Sequence, residues 1–132
     1  MKILIVDDEK IVLDSCRRIL ESGGFEVRLA ASYAQALEIL NRCGPPALLL
    51  IDLKMPGLDG IDLMRAVRKA WESIPIILMS GYCTPETIAQ AAMMGAATFI
   101  AKPFTPDELV EKINRVMEGE VLPVFAHTRK TR

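Results

Sequence analysis

The length, composition and charge of the chain limit what it can be. Its 132 residues suit one compact domain, and 51% hydrophobic with 25% charged residues is the composition of an ordinary globular protein. The 16 Lys and Arg residues nearly balance 17 Asp and Glu residues, so the charge gives no reason to expect direct binding to nucleic acid or a membrane surface. No apolar run could span a bilayer, and Asp7 and Asp8 come too early for a signal peptide, so a cytoplasmic location is expected.

The cysteines and the histidine argue against zinc and against histidine-based chemistry. Cys16, Cys43 and Cys83 are an odd number without metal-site spacing, so we expect reduced thiols. His127 is the only histidine of the sequence, which excludes a histidine-rich metal site and argues against Ser-His-Asp catalysis.

Five short apolar runs recur along the chain, and each predicts a β-strand. Most of them do not alternate apolar with polar residues, which indicates strands buried on both faces, as in a parallel sheet. In chain order the predicted strands cover residues 3–6, 27–30, 48–51, 76–79 and 98–101.

A segment with helical signals follows each strand. Capping residues place the helix starts at Ser32, Thr84 and Thr105, with a capping box predicted at Ser32–Gln35 and at Thr105–Glu108. Met55-Pro56-Gly57 predicts a turn before the third helix, which extends from near Gly60 to Trp71. The fourth helix is predicted to end near Gly95. The buried stripes are expected at Ile11, Cys16, Ile19 and Leu20; at Ala36, Leu37 and Leu40; at Ile61, Met64, Val67 and Arg68; and at Leu109, Ile113 and Val116.

The order of these elements predicts an α/β fold with a doubly wound parallel sheet. Strand and helix alternate five times, and parallel strands joined by helical crossovers place helices on both faces of the sheet. In such sheets the functional site lies beyond the carboxyl ends of the strands.

Residues 119–132 show no periodicity and are predicted to be a tail or the start of a linker, which leaves residues 1–118 as the domain.

Polar residues follow four of the five predicted strands. Asp7 and Asp8 follow the first strand, Asp52 the third, Ser80 the fourth and Lys102 the fifth. The topology therefore brings three carboxylates, a hydroxyl and an ammonium group to one crevice. Carboxylates bind Mg²⁺ and can act as nucleophiles, whereas the hydroxyl and the ammonium group can stabilise a transferring phosphoryl group. Residue types alone do not decide which carboxylate is the nucleophile.

Each of these residues, taken singly, has a simpler interpretation. Asp8 or Glu9 could cap the first helix, and Asp59 could begin the third. Lys102 could be a solvated surface lysine, and Ser80 with Gly81 could form a turn. Their joint occurrence at four strand ends favours a phosphoryl-transfer site.

The motifs around these residues resemble those of the response-regulator receiver domain of two-component signalling. The matching segments are IVDDE (5–9), DLKMPGLDG (52–60), PIILMSGY (75–82), GA (95–96) and FIAKPF (99–104), in the family's order and spacing, and the similarity covers about residues 1–118. The resemblance implies a flavodoxin-like (βα)5 fold with strand order 2-1-3-4-5.

The resemblance also implies a role for each residue at the strand ends. Asp52 corresponds to the phosphoacceptor and Lys102 to the lysine that pairs with the phosphoryl group. Mg²⁺ would be held by Asp52, by Asp8 directly, by Asp7 mainly through water, and by the backbone carbonyl of Lys54.

Two further residues correspond to the switch of the family. Ser80 matches the switch hydroxyl and Phe99 the switch aromatic, although an aromatic residue near the end of a strand equally suits a plain core position. The bond between Lys102 and Pro103 corresponds to one that is usually cis in the family.

The function implied is a phosphorylation-activated switch. Asp52 would accept a phosphoryl group from a sensor histidine kinase or a phosphotransfer protein in a phosphorelay. The domain would catalyse only its own phosphotransfer and slow dephosphorylation, and is not expected to be a conventional enzyme. The surface of the fourth helix, fifth strand and fifth helix would change, and a transient homodimer is expected through that face.

The sequence around Asp52 and Ser80 resembles that of receivers fused to transcriptional output domains. This resemblance favours a receiver cut from a longer regulator over a stand-alone regulator.

Three other functions compete with the switch. A phosphohydrolase with an aspartate nucleophile would have a second acid two residues after Asp52, where this chain has Lys54. A degenerate receiver used only for binding conflicts with the intact residue set. A nucleotide-binding flavodoxin-like protein would need a glycine-rich phosphate loop after the first strand, and none follows it.

Overall fold

A parallel sheet of five strands forms the centre of the protein. The computed structural model describes residues 1–55, 58–81 and 84–119. The strands in chain order are β1 (Lys2–Val6), β2 (Glu26–Ala30), β3 (Leu48–Asp52), the two-residue strands β4 (Lys54–Met55) and β5 (Leu58–Asp59), β6 (Ile76–Ser80) and β7 (Thr98–Ala101). The main sheet has the order β2-β1-β3-β6-β7 with all pairs parallel, which confirms the predicted order 2-1-3-4-5.

Five helices cover both faces of this sheet. They are α1 (Lys10–Ser22), α2 (Tyr33–Cys43), α3 (Gly60–Ala70), α4 (Pro85–Met93) and α5 (Pro106–Met117). Side chains of α1 and α5 pack with Ile3 and Ile5 of β1 in one apolar cluster, whereas side chains of α2, α3 and α4 pack with Leu4 and Val6 in the other. Successive residues of a strand point to opposite faces, so both faces of β1 are apolar because both are covered. The doubly wound α/β architecture is confirmed.

The capping signals predicted the starts of three helices correctly. The Thr105 side chain accepts a hydrogen bond from the Glu108 backbone N–H at 3.1 Å, and the Glu108 carboxylate accepts one from the Thr105 N–H at 2.8 Å. Helix α4 has the same reciprocal arrangement between Thr84 and Thr87. At α2 the Ser32 side chain caps the Gln35 N–H, so that start is also correct, but the predicted capping box is not formed, because the Gln35 side chain accepts from the Ala31 N–H instead of the Ser32 N–H.

The predicted buried stripe of α1 was wrong at Ile11. That side chain is 76% exposed, and the buried residues of the helix are Leu13, Cys16 and Leu20. These three residues are separated by three and four positions and therefore lie on one side of the helix, whereas Ile11 falls on the opposite side.

The segment after β3 differs in detail from its prediction. Met55 belongs to β4, which pairs antiparallel with β5, and Pro56 and Gly57 of the predicted turn lie outside the described residues. Asp59 ends β5, and α3 begins at Gly60. Residues 120–132 of the predicted tail also lie outside the described part of the chain, so the boundary after residue 118 stays a prediction. Within residues 1–55, 58–81 and 84–119, no helix has the length and apolarity needed to cross a membrane.

Thr98, at the start of β7, carries a buried hydroxyl. The residue is 3% exposed, and Oγ1 has no hydrogen-bond partner among the described residues. A buried hydroxyl that makes no hydrogen bond costs free energy of folding because it has given up its bonds to water. Its neighbours in the register, Ile77 across the strand pair and Ile100 along the strand, are apolar.

The Thr98→Val substitution is expected to raise the free energy of unfolding by about 1 kcal/mol, because a methyl group replaces the unpaired hydroxyl. Urea denaturation measures the change. Thr105→Val is the control with the same chemical change: it removes a capping oxygen and is expected to lower the free energy of unfolding by about 1 kcal/mol. A destabilised Thr98→Val protein would show that the hydroxyl has a partner.

Candidate functional site

The carboxyl ends of the strands bring the predicted site residues to one edge of the sheet. Backbone hydrogen bonds continue the strand pairing one residue beyond the strands: the Asp7 N–H donates to the Ala30 carbonyl at 3.0 Å and the Lys102 N–H to the Ser80 carbonyl at 2.8 Å. The Leu53 N–H likewise donates to the Met79 carbonyl, at 2.8 Å. The backbone that carries the site is therefore held by the sheet, which fixes where its side chains begin.

Three carboxylates meet at this edge. Asp7, Asp8 and Asp52 each place an oxygen so that all three atoms lie within 4.8 Å of one another. Asp7 is fully buried and Asp52 is 5% exposed, whereas Asp8 is exposed. Like charges this close repel, and burial removes the water that would screen them, so the cluster requires a compensating cation.

Lys102 supplies one positive charge to the cluster. Its Nζ donates a hydrogen bond to Asp7 Oδ2 at 2.7 Å and lies 3.5 Å from Asp52 Oδ2. Burial by itself would lower the pKa of Lys102, but the hydrogen bond to Asp7 and the charges of Asp52, Asp7 and Glu9 outweigh it, and the pKa of Lys102 lies above its usual value of 10.5. Lys102 is therefore charged at neutral pH, and the stability that this charge contributes is lost only as pH rises through the raised pKa. The bond between Lys102 and Pro103 is cis, as predicted.

Both oxygens of Asp7 are already bound by groups of the protein. Oδ2 accepts from Lys102, and Oδ1 accepts from the Glu9 backbone N–H at 2.9 Å. This leaves only the second lone pairs of the two oxygens for a metal or for its waters. Asp8, which is exposed, is the more accessible candidate for direct coordination.

Glu9 is a residue of the site that the sequence interpretation assigned to a different task. It occupies the N-cap position of α1, but its side chain makes no capping hydrogen bond. Its carboxylate lies 3.5 Å from Lys102 Nζ instead. The sequence shows an acid directly after Asp8. It does not show that this acid contacts Lys102, because the two residues are far apart in the chain.

Ser80 and Phe99 lie on β6 and β7, the two strands next to Lys102 in the sheet. Ser80 ends β6, is 5% exposed, and pairs in register with Ala101 of β7, next to Lys102. Phe99 is half-buried and packs against the apolar cluster that contains α4, while Lys112 of α5 places its Nζ 5.8 Å from the ring centroid. Phe99 therefore lies between α4 and α5, a position that suits a core residue and a switch residue alike. Lys54, whose carbonyl is the predicted metal ligand, lies in β4.

Cys16 is a buried thiol near the acidic cluster that is not part of it. The thiol is buried in α1, and burial together with the charge of Asp7 raises its pKa to about 11, although Lys102 acts in the opposite direction. A thiol with so high a pKa is not a nucleophile at neutral pH. Cys16 and Cys43 are both free, in agreement with the expectation of reduced cysteines, and Cys83 lies outside the described residues.

The donor set fits a magnesium ion. Mg²⁺ prefers carboxylate oxygens and water, and is usually held by one or two carboxylates. Asp8 and Asp52 with the second lone pairs of Asp7 supply such a set within 4.8 Å, whereas histidine and cysteine, which would suit zinc, are not part of it.

Comparison with known proteins decides the family. The family model of the response regulator receiver domain matches residues 3–114. This chain belongs to the receiver domain family. The family is a signalling one whose general function is a phosphorylation switch and whose members generally bind Mg²⁺.

Individual relatives agree with the family match. Sporulation initiation phosphotransferase F of Bacillus subtilis is 34% identical over 116 residues, which cover 88% of this chain and 93% of that protein. A receiver domain protein (CheY-like) from Methanospirillum hungatei has a structure with a TM-score of 0.84 at 34% identity, covering 89% of this chain and 94% of that chain. A putative response regulator NtrX-like protein of Rickettsia bellii is 36% identical over 118 residues, which cover 88% of this chain but 24% of that protein. The chain thus spans about a quarter of the length of the NtrX-like relatives.

When no metal is present, the free energy of unfolding is expected to depend differently on the two acids that follow β1. Asp7→Asn removes the buried partner of Lys102 and should lower the free energy of unfolding by about 1–3 kcal/mol. Asp8→Asn removes an exposed charge from a cluster of like charges and should leave the free energy of unfolding unchanged or raise it by up to about 1 kcal/mol.

Urea denaturation in the presence of a chelator measures both effects. Asp14→Asn, on the surface of α1, is the control for loss of one carboxylate and should stay within about 0.5 kcal/mol of the unsubstituted protein. Equal destabilisation by Asp7→Asn and Asp8→Asn would contradict the assignment of Lys102 to Asp7.

Proposed function

We propose that this receiver domain is switched by phosphorylation of Asp52 in a Mg²⁺-dependent reaction. The observation that carries the proposal is the convergence of three carboxylates within 4.8 Å, with Lys102 Nζ 2.7 Å from one and 3.5 Å from another. Asp52 is the carboxylate of the three that ends the central strand β3 and lies in the middle of the sheet edge. Asp7 is held by Lys102 and Glu9, and Asp8 is exposed, so Asp52 is the best placed nucleophile.

The covalent step transfers a phosphoryl group to the Asp52 carboxylate. One Asp52 oxygen forms a bond to phosphorus while the bond from phosphorus to the leaving group breaks, and the leaving group keeps that electron pair. With a phosphohistidine donor, the imidazole nitrogen leaves and takes up a proton. With acetyl phosphate, acetate leaves. The product on the protein is an acyl phosphate.

Residues of this chain prepare the site for the added charge. Lys102 lies 3.5 Å from Asp52 Oδ2 and can pair with a phosphoryl oxygen without a large movement. The Ser80 hydroxyl supplies a further hydrogen-bond donor. Mg²⁺ held by Asp8, Asp52, the Lys54 carbonyl and, through water, Asp7 would neutralise charge on the phosphoryl oxygens when bound.

The switch follows from the position of Ser80 at the end of β6. A phosphoryl group that draws Ser80 inward would displace the connection from Gly81 towards Thr84 at the start of α4, and would change the space available to Phe99. A Cβ atom at Gly81 would meet no atom of the described residues within 4 Å, so they leave room beside Gly81 itself. The surface of α4, β7 and α5, which corresponds to the predicted fourth helix, fifth strand and fifth helix, would report the change.

Partners are proposed from the chemistry of the site. The phosphoryl donor is a sensor histidine kinase or a phosphotransfer protein, located with this domain in the cytoplasm. A transient homodimer through the surface of α4, β7 and α5 would give the switch a readout. The near-neutral charge supports contact with proteins over direct contact with nucleic acid or membrane.

Incubation with acetyl phosphate and Mg²⁺ should add the mass of one phosphoryl group to the intact protein. Asp52→Asn should abolish this gain, as should a chelator, because the nucleophile or the metal is then missing. Asp62→Asn, which changes an exposed aspartate of α3, is the matched control and should be labelled like the unsubstituted protein.

An unchanged mass, under conditions that label another receiver domain, would contradict the proposal and leave a binding module that does not use phosphorylation as the remaining function. Turnover of phosphomonoesters would favour a hydrolase instead.

Ser80→Ala should separate phosphorylation from the structural response. Asp52 remains available, so the mass gain should persist, at a lower rate because one donor to the phosphoryl group is lost. The changes in amide chemical shift at Thr84 and Phe99 on phosphorylation should become much smaller. Ser32→Ala, the same substitution at the exposed cap of α2, is the control. Full shift changes in Ser80→Ala would remove Ser80 from the switch.

A further inference from the structure

Helix α4 fully buries smaller side chains than α3, which packs in the same apolar cluster on the same face of the sheet. Among the described residues, α3 fully buries three large side chains, Leu63, Met64 and Val67. Helix α4 fully buries two alanines, Ala91 and Ala92, and packs the partly buried Ile88 against the same cluster. Hydrophobic stabilisation scales with the apolar area removed from water, and an alanine side chain is one methyl group. The position of α4 therefore depends strongly on its ends.

The C-terminal end of α4 is bound by an arginine from another helix. Arg68, in the last turn of α3, is half-buried, and its Nη2 donates to the Gly95 carbonyl at 3.0 Å. Its Nη1 donates to the Ile74 carbonyl at 2.8 Å and to the Trp71 carbonyl at 3.4 Å. One guanidinium group thus joins the connection after α3 to the connection after α4. Hydrogen bonds from a charged donor to carbonyl oxygens are among the stronger ones in proteins.

Gly95 is shaped for this contact. Its φ of +87° is a conformation that favours glycine, and a Cβ atom there would lie 3.3 Å from Arg68 Nε. The Gly95 and Ala96 N–H groups donate back to the Ala92 and Ala91 carbonyls at 3.0 and 3.1 Å, which closes α4 with a Schellman motif. The Gly95 carbonyl is thereby oriented towards Arg68 by the helix end itself.

The two ends of α4 lie at opposite edges of the sheet. Arg68 binds segments that immediately precede β6 and β7, whereas Thr84 at the other end of the helix follows Ser80 at the carboxyl end of β6. The end nearest the proposed phosphorylation site is thus joined to it by a few residues of chain, and the far end is held by Arg68.

We propose that Arg68 is a positioning residue that fixes the C-terminal end of α4, so that phosphorylation displaces this helix at its N-terminal end. The displacement rests on the proposed switch through Asp52 and Ser80, but the anchoring by Arg68 does not. Arg68 lies far from the acidic cluster and has no part in the phosphoryl transfer.

Amide hydrogen exchange tests the anchor without any phosphodonor. In Arg68→Gln, the Ala96 and Ala97 amides, which donate to Ala91 and Ile76, should exchange about tenfold faster than in the unsubstituted protein. Amides of β1, which report global unfolding, provide the correction for any overall loss of stability. Arg65→Gln, whose side chain forms an exposed pair with Asp62, is the matched control and should show unchanged exchange.

Arg68→Lys keeps the charge on a single nitrogen and serves as the second variant if Arg68→Gln does not fold. It should also speed exchange at Ala96 and Ala97, because one ammonium group does not span both connections as the guanidinium fork does. Exchange in both Arg68 variants equal to that in Arg65→Gln would overturn the anchor.

Changes in amide chemical shift on phosphorylation with acetyl phosphate and Mg²⁺ test whether the C-terminal end of α4 stays fixed. In the unsubstituted protein the changes should be large at Thr84–Ile88 and small at Met94–Ala97, and in Arg68→Gln they should spread to Met94–Ala97 at the same phosphoryl mass gain. Equal changes at both ends of α4 in the unsubstituted protein would overturn the proposal. No mass gain in the unsubstituted protein would instead reject the proposed function, and the exchange experiment would still decide on the anchor.

Discussion

The ion pair between Lys102 and Asp7 is the interaction on which the site depends. The residues follow β7 and β1, which are separated by β3 and β6 in the sheet, yet Lys102 Nζ lies 2.7 Å from Asp7 Oδ2. The two strands are three spacings, about 14 Å, apart, so the pair is made across the sheet edge by residues that lie just beyond the strand ends, and it is made beside Asp52. The pair thereby ties two distant strands together and gives the buried carboxylates the positive charge they require. Loss of one partner would leave the other charge buried without adequate compensation.

The same pairing explains how the site can respond to a phosphoryl group. In the unphosphorylated protein the Lys102 ammonium is shared by Asp7, Asp52 and Glu9, at distances from 2.7 to 3.5 Å. A phosphoryl group on Asp52 would present more negative charge to the same ammonium than the Asp52 carboxylate does. Lys102 can therefore change partners over a short distance while the Glu9 N–H continues to hold Asp7. Glu9 contributes little stability through so exposed a pair, but its charge adds to the competition for Lys102.

The sequence predicted the parts of this protein that depend on local pattern and on topology. Continuous apolar runs such as Leu48–Ile51 indicate strands buried on both faces, and parallel strands bring their carboxyl ends together, so the meeting of Asp7, Asp52 and Lys102 follows from the strand assignment. Contacts between residues distant in the chain were not predicted, because no local pattern encodes them. Glu9 suggested a helix cap but lies beside Lys102, and Arg68 fitted the stripe of α3 but binds Gly95. Ile11 failed because periodicity alone did not determine which residues of a short helix face the sheet.

The proposed phosphorylation site lies at the carboxyl ends of the strands, and the contacts of Arg68 lie at the opposite edge of the sheet. Helix α4 extends from one edge to the other. Its nine residues make a helix about 13 Å long, which is close to the length of a five-residue strand. A helix that is bound at one end by Arg68 and whose fully buried side chains are alanines can tilt about that end with little loss of fully buried apolar area, and Ile88 is the larger contact that the tilt would move. A helix bound equally along its length would have to shift as a whole, against the packing of the entire apolar cluster. The proposed switch would therefore need only a small free-energy difference at Ser80 to change the surface of α4, because the contacts that it has to move would lie at the end of the helix that adjoins the site.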